Sequence, residues 1–143
     1  MNFHSEKMLS KKTRYAFQAL TYLGRQEDRK PVLISRIADD TRLPRKFLET
    51  ILLDLKKMGI LNSKMGKGGG YYLRKEAEDI RLAEIIRMFN GPIALLPCVS
   101  LNYYEACEDC INPDGKCGLK TVMEGVRDET LKILENKSLV DIL

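Results

Sequence analysis

The sequence predicts a mainly α-helical chain with a small β-hairpin wing, that is, a winged helix-turn-helix followed by a long C-terminal helix. Three observations support this fold class. Three helix-like segments precede a glycine-rich hairpin, apolar residues recur at helical spacing in both halves, and the 143 residues are 44% hydrophobic, enough for a core. The length fits one compact domain or a small domain with an appendage. We divide the chain into residues 1–80 and 81–143.

The first two helices are predicted from apolar spacing and turn residues. The first spans about 10–25 and has one apolar face, formed by Ala16, Ala19, Leu20 and Leu23. A short second helix is expected to start at Ser35, a good N-cap residue, and to bury Ile37 and Ala38. Residues 41–44 break it.

The third helix is predicted from about Pro44 to Met58, with Gly59 just past its end, where left-handed backbone is needed. Its expected buried stripe comprises Phe47, Leu48, Ile51, Leu52, Leu55 and Met58. The outward residues are Arg45, Lys46, Glu49, Thr50 and Lys57.

A hairpin and two further helices complete the prediction. Two strand-like segments, 60–65 and 71–74, flank the glycine-rich tip at 66–70. A fourth helix over 82–90 should bury Leu82, Ile85, Ile86 and Phe89. After a loop at 92–117, the last helix spans about 118–136. Its apolar positions are Leu119, Val122, Met123, Val126, Ile133 and Leu134, and the same helix of a second subunit would cover them best, which predicts a homodimer.

Charge is distributed unevenly along the chain. Residues 1–75 hold 17 Lys/Arg against 7 Asp/Glu, a net charge of +10, whereas residues 76–143 hold 7 against 13, a net charge of −6. A basic first half suits a polyanionic partner, although solvated faces can also vary in sign without function.

Several function classes are disfavoured. No apolar run approaches the roughly 18 residues that a membrane span needs, and the N-terminus lacks the apolar stretch of a signal peptide. We therefore expect a cytoplasmic protein with no membrane partner. The single histidine, His4, leaves no Ser/His/Asp or Cys/His constellation, so we do not expect an enzyme.

Three helices followed by a hairpin is the order of a winged helix-turn-helix. The third helix of such a module enters the major groove of double-stranded DNA, where base edges are distinguishable. Arg45, Lys46, Glu49 and Thr50 supply donors and acceptors for those edges. Lys64 and Lys67 flank the hairpin tip, where Gly68 and Gly69 let the backbone approach phosphates. The glycine run matches neither a P-loop nor a dinucleotide site, and a plain hairpin turn remains its alternative.

Four cysteines, Cys98, Cys107, Cys110 and Cys117, lie within 20 residues with the spacing C-x8-C-x2-C-x6-C. Thiolates are soft ligands that select iron–sulfur clusters or zinc. Four thiolates could hold a [2Fe–2S] cluster, and the C-x2-C pair also has zinc-knuckle spacing. The third possibility is that the thiols bind no metal, as reduced side chains or as a redox pair.

Several stretches resemble the IscR/NsrR/CymR superfamily of bacterial winged-helix transcription regulators. They are Leu9–Ala16 (LSKKTRYA), Leu48-Glu49, Lys64–Leu73 (KMGKGGGYYL), the cysteine loop with the long helix, and Ser138–Leu143 (SLVDIL). The resemblance extends from Met8 to the C-terminus. It implies dimers that bind palindromic operators with their wings in the minor groove.

Further expectations come from this resemblance alone. The family's major-groove contacts fall on Lys46, Glu49 and Thr50, and Lys12 and Arg14 of the first matching stretch become candidate DNA contacts. Met65 replaces an arginine common at the base of the wing. The resemblance favours a [2Fe–2S] cluster over zinc or no metal. It implies a repressor sensing redox state, iron or nitric oxide, with a cluster-free regulator controlled by a protein or small-molecule partner as the alternative.

Overall fold

The computed structural model describes residues 9–107, 110 and 117–143. Its helices are α1 (Lys11–Gly24), α2 (Ile34–Thr41), α3 (Arg45–Lys57), α4 (Leu82–Asn90) and α5 (Gly118–Asn136), and its strands are β1 (Leu61–Lys64) and β2 (Gly70–Leu73). Short 3-10 helices cover Glu27–Arg29, Ala77–Asp79, Pro97–Val99 and Leu139–Ile142. This order confirms the predicted fold class. His4 lies outside the described residues.

The core lies where α1, α2 and α3 meet. The predicted face of α1 is confirmed, since Ala16, Ala19 and Leu20 are 0% exposed. Ser10 caps this helix by accepting the Thr13 backbone N–H at 3.1 Å. Ile37 and Ala38 of α2 are buried as predicted.

The predicted stripe of α3 is correct except at its edges. Leu48, Ile51, Leu52 and Leu55 are fully buried, and Met58 is half-buried. The prediction that Phe47 is buried is wrong, because its side chain is 59% exposed. Phe47 lies at the border of the apolar stripe, and its ring meets the edge of Tyr15 instead of entering the core.

The starts of α2 and α3 differ slightly from the prediction. Ser35 is not the N-cap of α2, because the helix already begins at Ile34 after Leu33. The chain before it is held extended by reciprocal backbone hydrogen bonds of 2.9 Å between Val32 and Tyr71. Likewise, Pro44 precedes the first helical residue of α3.

Glycine ends α3 as predicted. Gly59 has φ +77°, its N–H donates to the Lys56 carbonyl at 2.9 Å, and the Ile60 N–H donates to the Leu55 carbonyl at 3.0 Å. This is the bond pattern of a Schellman motif, which satisfies the last carbonyls of a helix. It turns the chain directly into β1.

The hairpin is antiparallel; its first strand is shorter than predicted, and its second strand begins and ends one residue earlier than predicted. Its register pairs Leu61 with Leu73 and Lys64 with Gly70. The bridge between Val32 and Tyr71 attaches β2 to the segment before α2. The wing is therefore fixed to the helical core along one strand.

Gly70 allows this attachment. Its φ is +137°, and a Cβ at this position would overlap the Val32 carbonyl. We expect Gly70→Ala to lower the free energy of unfolding by about 2 kcal/mol or more, because glycine-only backbone costs other residues about 1–3 kcal/mol before any clash. Gly66→Ala is the matched control, since Gly66 has φ +87° with open space around it. Urea denaturation of both variants gives the comparison, and equal losses would contradict this account of the wing.

The second half of the chain packs back onto the first. α4 is confirmed at its predicted bounds; it buries Ala83, Ile85 and Ile86, while Leu82 and Phe89 are only partly buried. Leu139 is 0% exposed, and its N–H donates to the Ile80 carbonyl at 2.9 Å. The division of the chain into two parts, residues 1–80 and 81–143, stays a prediction. No helix within the described residues has the length and apolar character needed to cross a membrane.

Candidate nucleic-acid interface and cysteine segment

The outer face of α3 carries the predicted base contacts, Arg45, Lys46, Glu49 and Thr50. All four side chains are exposed. Leu48, which lies between Lys46 and Glu49 on the opposite face of the helix, is fully buried. Arg45 Nε lies 3.4 Å from Glu49 Oε1, and the Thr50 hydroxyl donates to the Lys46 carbonyl at 3.3 Å. Exposed ion pairs of this kind contribute little to stability, so these groups are available to exchange partners.

The wing tip brings together the predicted phosphate contacts. Lys64, Lys67 and Gly68 are exposed, and Met65 beside them is 92% exposed. Gly69 differs, since it is buried and its N–H donates to the Gly66 carbonyl at 3.0 Å. The backbone N–H of Gly69 therefore forms a hydrogen bond within the hairpin turn.

The two α1 residues predicted to contact DNA have different surroundings. Arg14 is exposed. Lys12 is half-buried: its Nζ lies 3.2 Å from Asp54 Oδ2 of α3 and 5.6 Å from the centre of the Phe89 ring. Lys12 thus joins α1 to α3 and α4, and a contact with a phosphate would require it to leave Asp54.

Sequence reasoning missed two exposed apolar residues on α3. Phe47 and Leu53 are 59% and 49% exposed. The position of Phe47 at the edge of the apolar stripe was the available signal, because edge positions of a helix are buried only if a neighbouring element covers them.

The cysteine segment is anchored at both ends. Cys98 lies in the 3-10 helix Pro97–Val99, and Cys117 directly precedes α5. Between them, the Cys110 N–H donates to the Cys107 carbonyl at 3.2 Å, so a backbone hydrogen bond joins the two cysteines of the C-x2-C pair.

Arg127 of α5 binds the backbone beside Cys98, at Val99. Its guanidinium donates to the carbonyl of Val99 at 2.9 Å and pairs with Asp128 at 2.8 Å, and only 15% of its side chain is exposed. Val99 itself is 2% exposed. The backbone next to Cys98 is therefore fixed against the dimerisation candidate α5.

The start of the loop is connected to α1. Asn90, the last residue of α4, accepts the Ser10 N–H at 2.7 Å and the Thr13 hydroxyl at 3.3 Å. Thr13 is 0% exposed. The loop is thus attached to the helix-turn-helix at one end and to α5 at the other.

The cysteines have suitable donor chemistry for a metal centre. In the described part of the chain all four are free of disulfides, and three are half-buried while Cys107 is exposed. Within residues 9–107, 110 and 117–143, no three His, Cys, Asp or Glu side chains lie close enough together to hold a metal ion. The ligand set therefore stays a prediction that rests on the thiols themselves.

One face of α5 remains apolar and uncovered. Leu119, Val122, Val126 and Ile133 are 56%, 59%, 39% and 58% exposed. Their spacing places them along one stripe of the helix. By contrast, Leu131 is buried against the rest of the chain.

These features define a winged-helix transcription regulator, in which a polar helix face and a basic hairpin tip lie exposed on a compact helical core. The family model Rrf2, described as iron-dependent transcriptional regulator, matches residues 9–143. The chain belongs to the Rrf2 family of transcription regulators, which confirms the resemblance seen in the sequence.

Known proteins agree with this assignment. The chain is 37% identical over 139 residues to the rrf2-like HTH-type transcriptional regulator of Rhodobacter capsulatus, covering 95% of this chain and 92% of the relative. It is 28% identical to the HTH-type transcriptional regulator NsrR of Shouchella clausii, covering 94% and 87%. Its fold is similar to CymR, the global cysteine regulator of B. subtilis, with TM-score 0.74 and 26% identity, covering 94% and 95%.

Proposed function

We propose that this family member acts in the cytoplasm as a homodimeric, sequence-specific DNA-binding repressor. One observation carries the proposal: α3 buries one face in the core while Arg45, Lys46, Glu49 and Thr50 remain exposed. Helices presented in this way enter the major groove, where each base pair offers a distinct set of donors and acceptors. The partner is then double-stranded DNA carrying a palindromic operator.

Different residues would serve affinity and specificity. Lys64, Lys67 and the Gly68 backbone would contact phosphates, which fix the position of the protein without sequence information. Arg14 would extend these phosphate contacts. Lys12 would do so as well if it left Asp54 to bind a phosphate. The α3 residues would contact base edges, with Arg45 or Lys46 suited to guanine and Glu49 to cytosine.

Single substitutions separate these two roles. Lys67→Ala should weaken binding to all duplexes alike and lower the slope of log affinity against log salt by about one unit. Glu49→Ala and Thr50→Ala should instead change which duplex is preferred, by about 1–3 kcal/mol for each base contact. Fluorescence anisotropy over a salt series measures both effects.

Lys132→Ala controls for loss of a positive charge, because this exposed lysine lies on α5. It should leave the salt slope unchanged. If Lys67→Ala and Lys132→Ala had the same slope as the wild type, the wing would not contact DNA.

We further propose that Cys98, Cys107, Cys110 and Cys117 hold a [2Fe–2S] cluster. Four thiolates meet the ligand requirement of such a cluster, and the spacing of the C-x2-C pair would also suit zinc. When bound, the cluster would supply sensitivity to redox state, iron or nitric oxide. The residues of this chain would hold it between the end of α4 and the start of α5, so that its state affects how the loop is ordered.

A cluster-free regulator controlled by a partner molecule is the second candidate. A groove of about 240 Å³ opens beside the loop, lined mainly by apolar residues including Leu9, Ile86 and Leu134. Small-molecule sites usually measure about 300–1,000 Å³, so the groove is small for an effector. Anaerobic purification followed by visible spectroscopy and iron, sulfide and zinc assays distinguishes these candidates.

A further inference from the structure

Phe47 occupies an unexpected place on the helix proposed to enter the major groove. It is the third residue of α3, between the proposed base contact Lys46 and the fully buried Leu48. More than half of its side chain, 59%, is exposed. When an apolar surface covers a large aromatic side chain at the start of this helix, the burial of that side chain stabilises the complex.

The Phe47 ring is held in a defined position. Its centroid lies 6.5 Å from that of Tyr15, with the ring planes at 70°, an edge-to-face contact. An aromatic pair of this geometry contributes about 0.5–1.5 kcal/mol beyond its buried area. Little ordering would therefore be needed when Phe47 meets a partner.

The chemistry of the major groove restricts what that partner can be. The N-terminal residues of a recognition helix contact base edges. Those edges consist of hydrogen-bond donors and acceptors, except for the C5-methyl group of thymine. We propose that Phe47, supported by Tyr15, contacts a thymine methyl group in each half-site and so determines sequence preference. This inference rests on the proposed DNA-binding function.

The test uses a duplex selected by the wild-type protein from a random-sequence pool. Each thymine is replaced in turn by deoxyuridine, which removes only the methyl group. At one symmetric pair of positions the wild type should lose about fourfold affinity for each methyl, from the ~0.8 kcal/mol that burial of one such group contributes. Phe47→Ala should bind the selected duplex more weakly, and its affinity should not change when deoxyuridine replaces thymine at those positions.

Leu53→Ala is the matched control, because it also removes an exposed apolar side chain from α3. It lies six residues beyond Phe47, or about 9 Å along the helix, and should retain the full sensitivity to deoxyuridine. Thermal unfolding of Phe47→Ala checks that the exposed position leaves the fold intact. Phe47→Leu, which keeps an apolar side chain, should restore part of the sensitivity.

Two outcomes would overturn the proposal. One is that the affinity of the wild type does not change when deoxyuridine replaces thymine at any position. The other is a Phe47→Ala variant with undiminished sensitivity, as expected if the ring packs on deoxyribose alone. A protein that selects no duplex at all would contradict the proposed function itself, so the two failures are distinguishable.

Discussion

Val122→Asp should convert a dimer into a monomer and remove most of the operator affinity. Val122 is 59% exposed on the same stripe as Leu119, Val126 and Ile133. Apolar stripes of this kind are covered in a symmetric dimer by the same patch of the partner, so an added carboxylate would be buried twice without a counter-ion. Sedimentation should change from about 33 kDa, twice the 16.4 kDa chain, to the mass of one chain.

The loss of affinity follows from losing the second DNA-binding unit. Linking two binding units raises overall affinity by about 10²- to 10⁴-fold over either alone, and Val122→Asp should lose a factor of this size. Lys132→Asp introduces the same residue at an exposed position of α5 away from the stripe, and should remain dimeric. A wild type that sediments as a monomer at micromolar concentration would contradict the assembly.

Removing a cysteine ligand should have the second large effect. Cys98→Ala and Cys117→Ala should each purify anaerobically without visible absorption or bound iron. Their operator affinity should equal that of the wild type stripped of its cluster. We expect both to differ from the loaded wild type by about 5- to 150-fold, the range of typical allosteric coupling energies of 1–3 kcal/mol.

The anchoring of the loop explains why its state should affect DNA binding. Asn90 ties the start of the loop to α1 through Ser10 and Thr13, and Arg127 ties the backbone next to Cys98 to α5. In the proposed dimer, the order of the loop would therefore affect the spacing of the two α3 helices, which would have to meet half-sites about one helical turn apart. Asn102→Ala, at an exposed position of this segment, is the control for a substitution that removes no ligand. Equal operator affinity of loaded and stripped wild type would contradict the sensor role.

Local patterns predicted most of the fold. The bounds of α4, the left-handed turn at Gly59 and the buried face of α1 all follow from spacing and residue type. These features depend on contacts within one helix and its caps, which a sequence shows directly. The fold class follows from their order.

Features that depend on distant residues could not be predicted in this way. The C-terminal 3-10 helix returns Leu139 to the core, and Val32 bridges to Tyr71, so both contacts join segments far apart in sequence. Phe47 was predicted to be buried because periodicity cannot show which edge of a stripe a neighbour covers. The pairing of Lys12 with Asp54 is likewise a tertiary contact.

The cysteines illustrate a different limit. Their number and spacing predict the class of ligand, because thiolate softness is a property of the residue. Which of them ligate depends on the positions of all four sulfur atoms in space, which spacing along the chain does not determine. The predicted set of Cys98, Cys107, Cys110 and Cys117 thus remains to be tested by substitution.

The central claim is that two copies of this chain bind a two-fold symmetric DNA sequence through α3 and the wing. The most direct measurement is a titration of the selected duplex, of the same duplex with one half-site scrambled, and of a fully scrambled duplex, at one fixed salt concentration. We predict that the intact site binds about 10³-fold or more tightly than the fully scrambled duplex, with the half-scrambled site between them. Equal affinity for all three duplexes would contradict the claim.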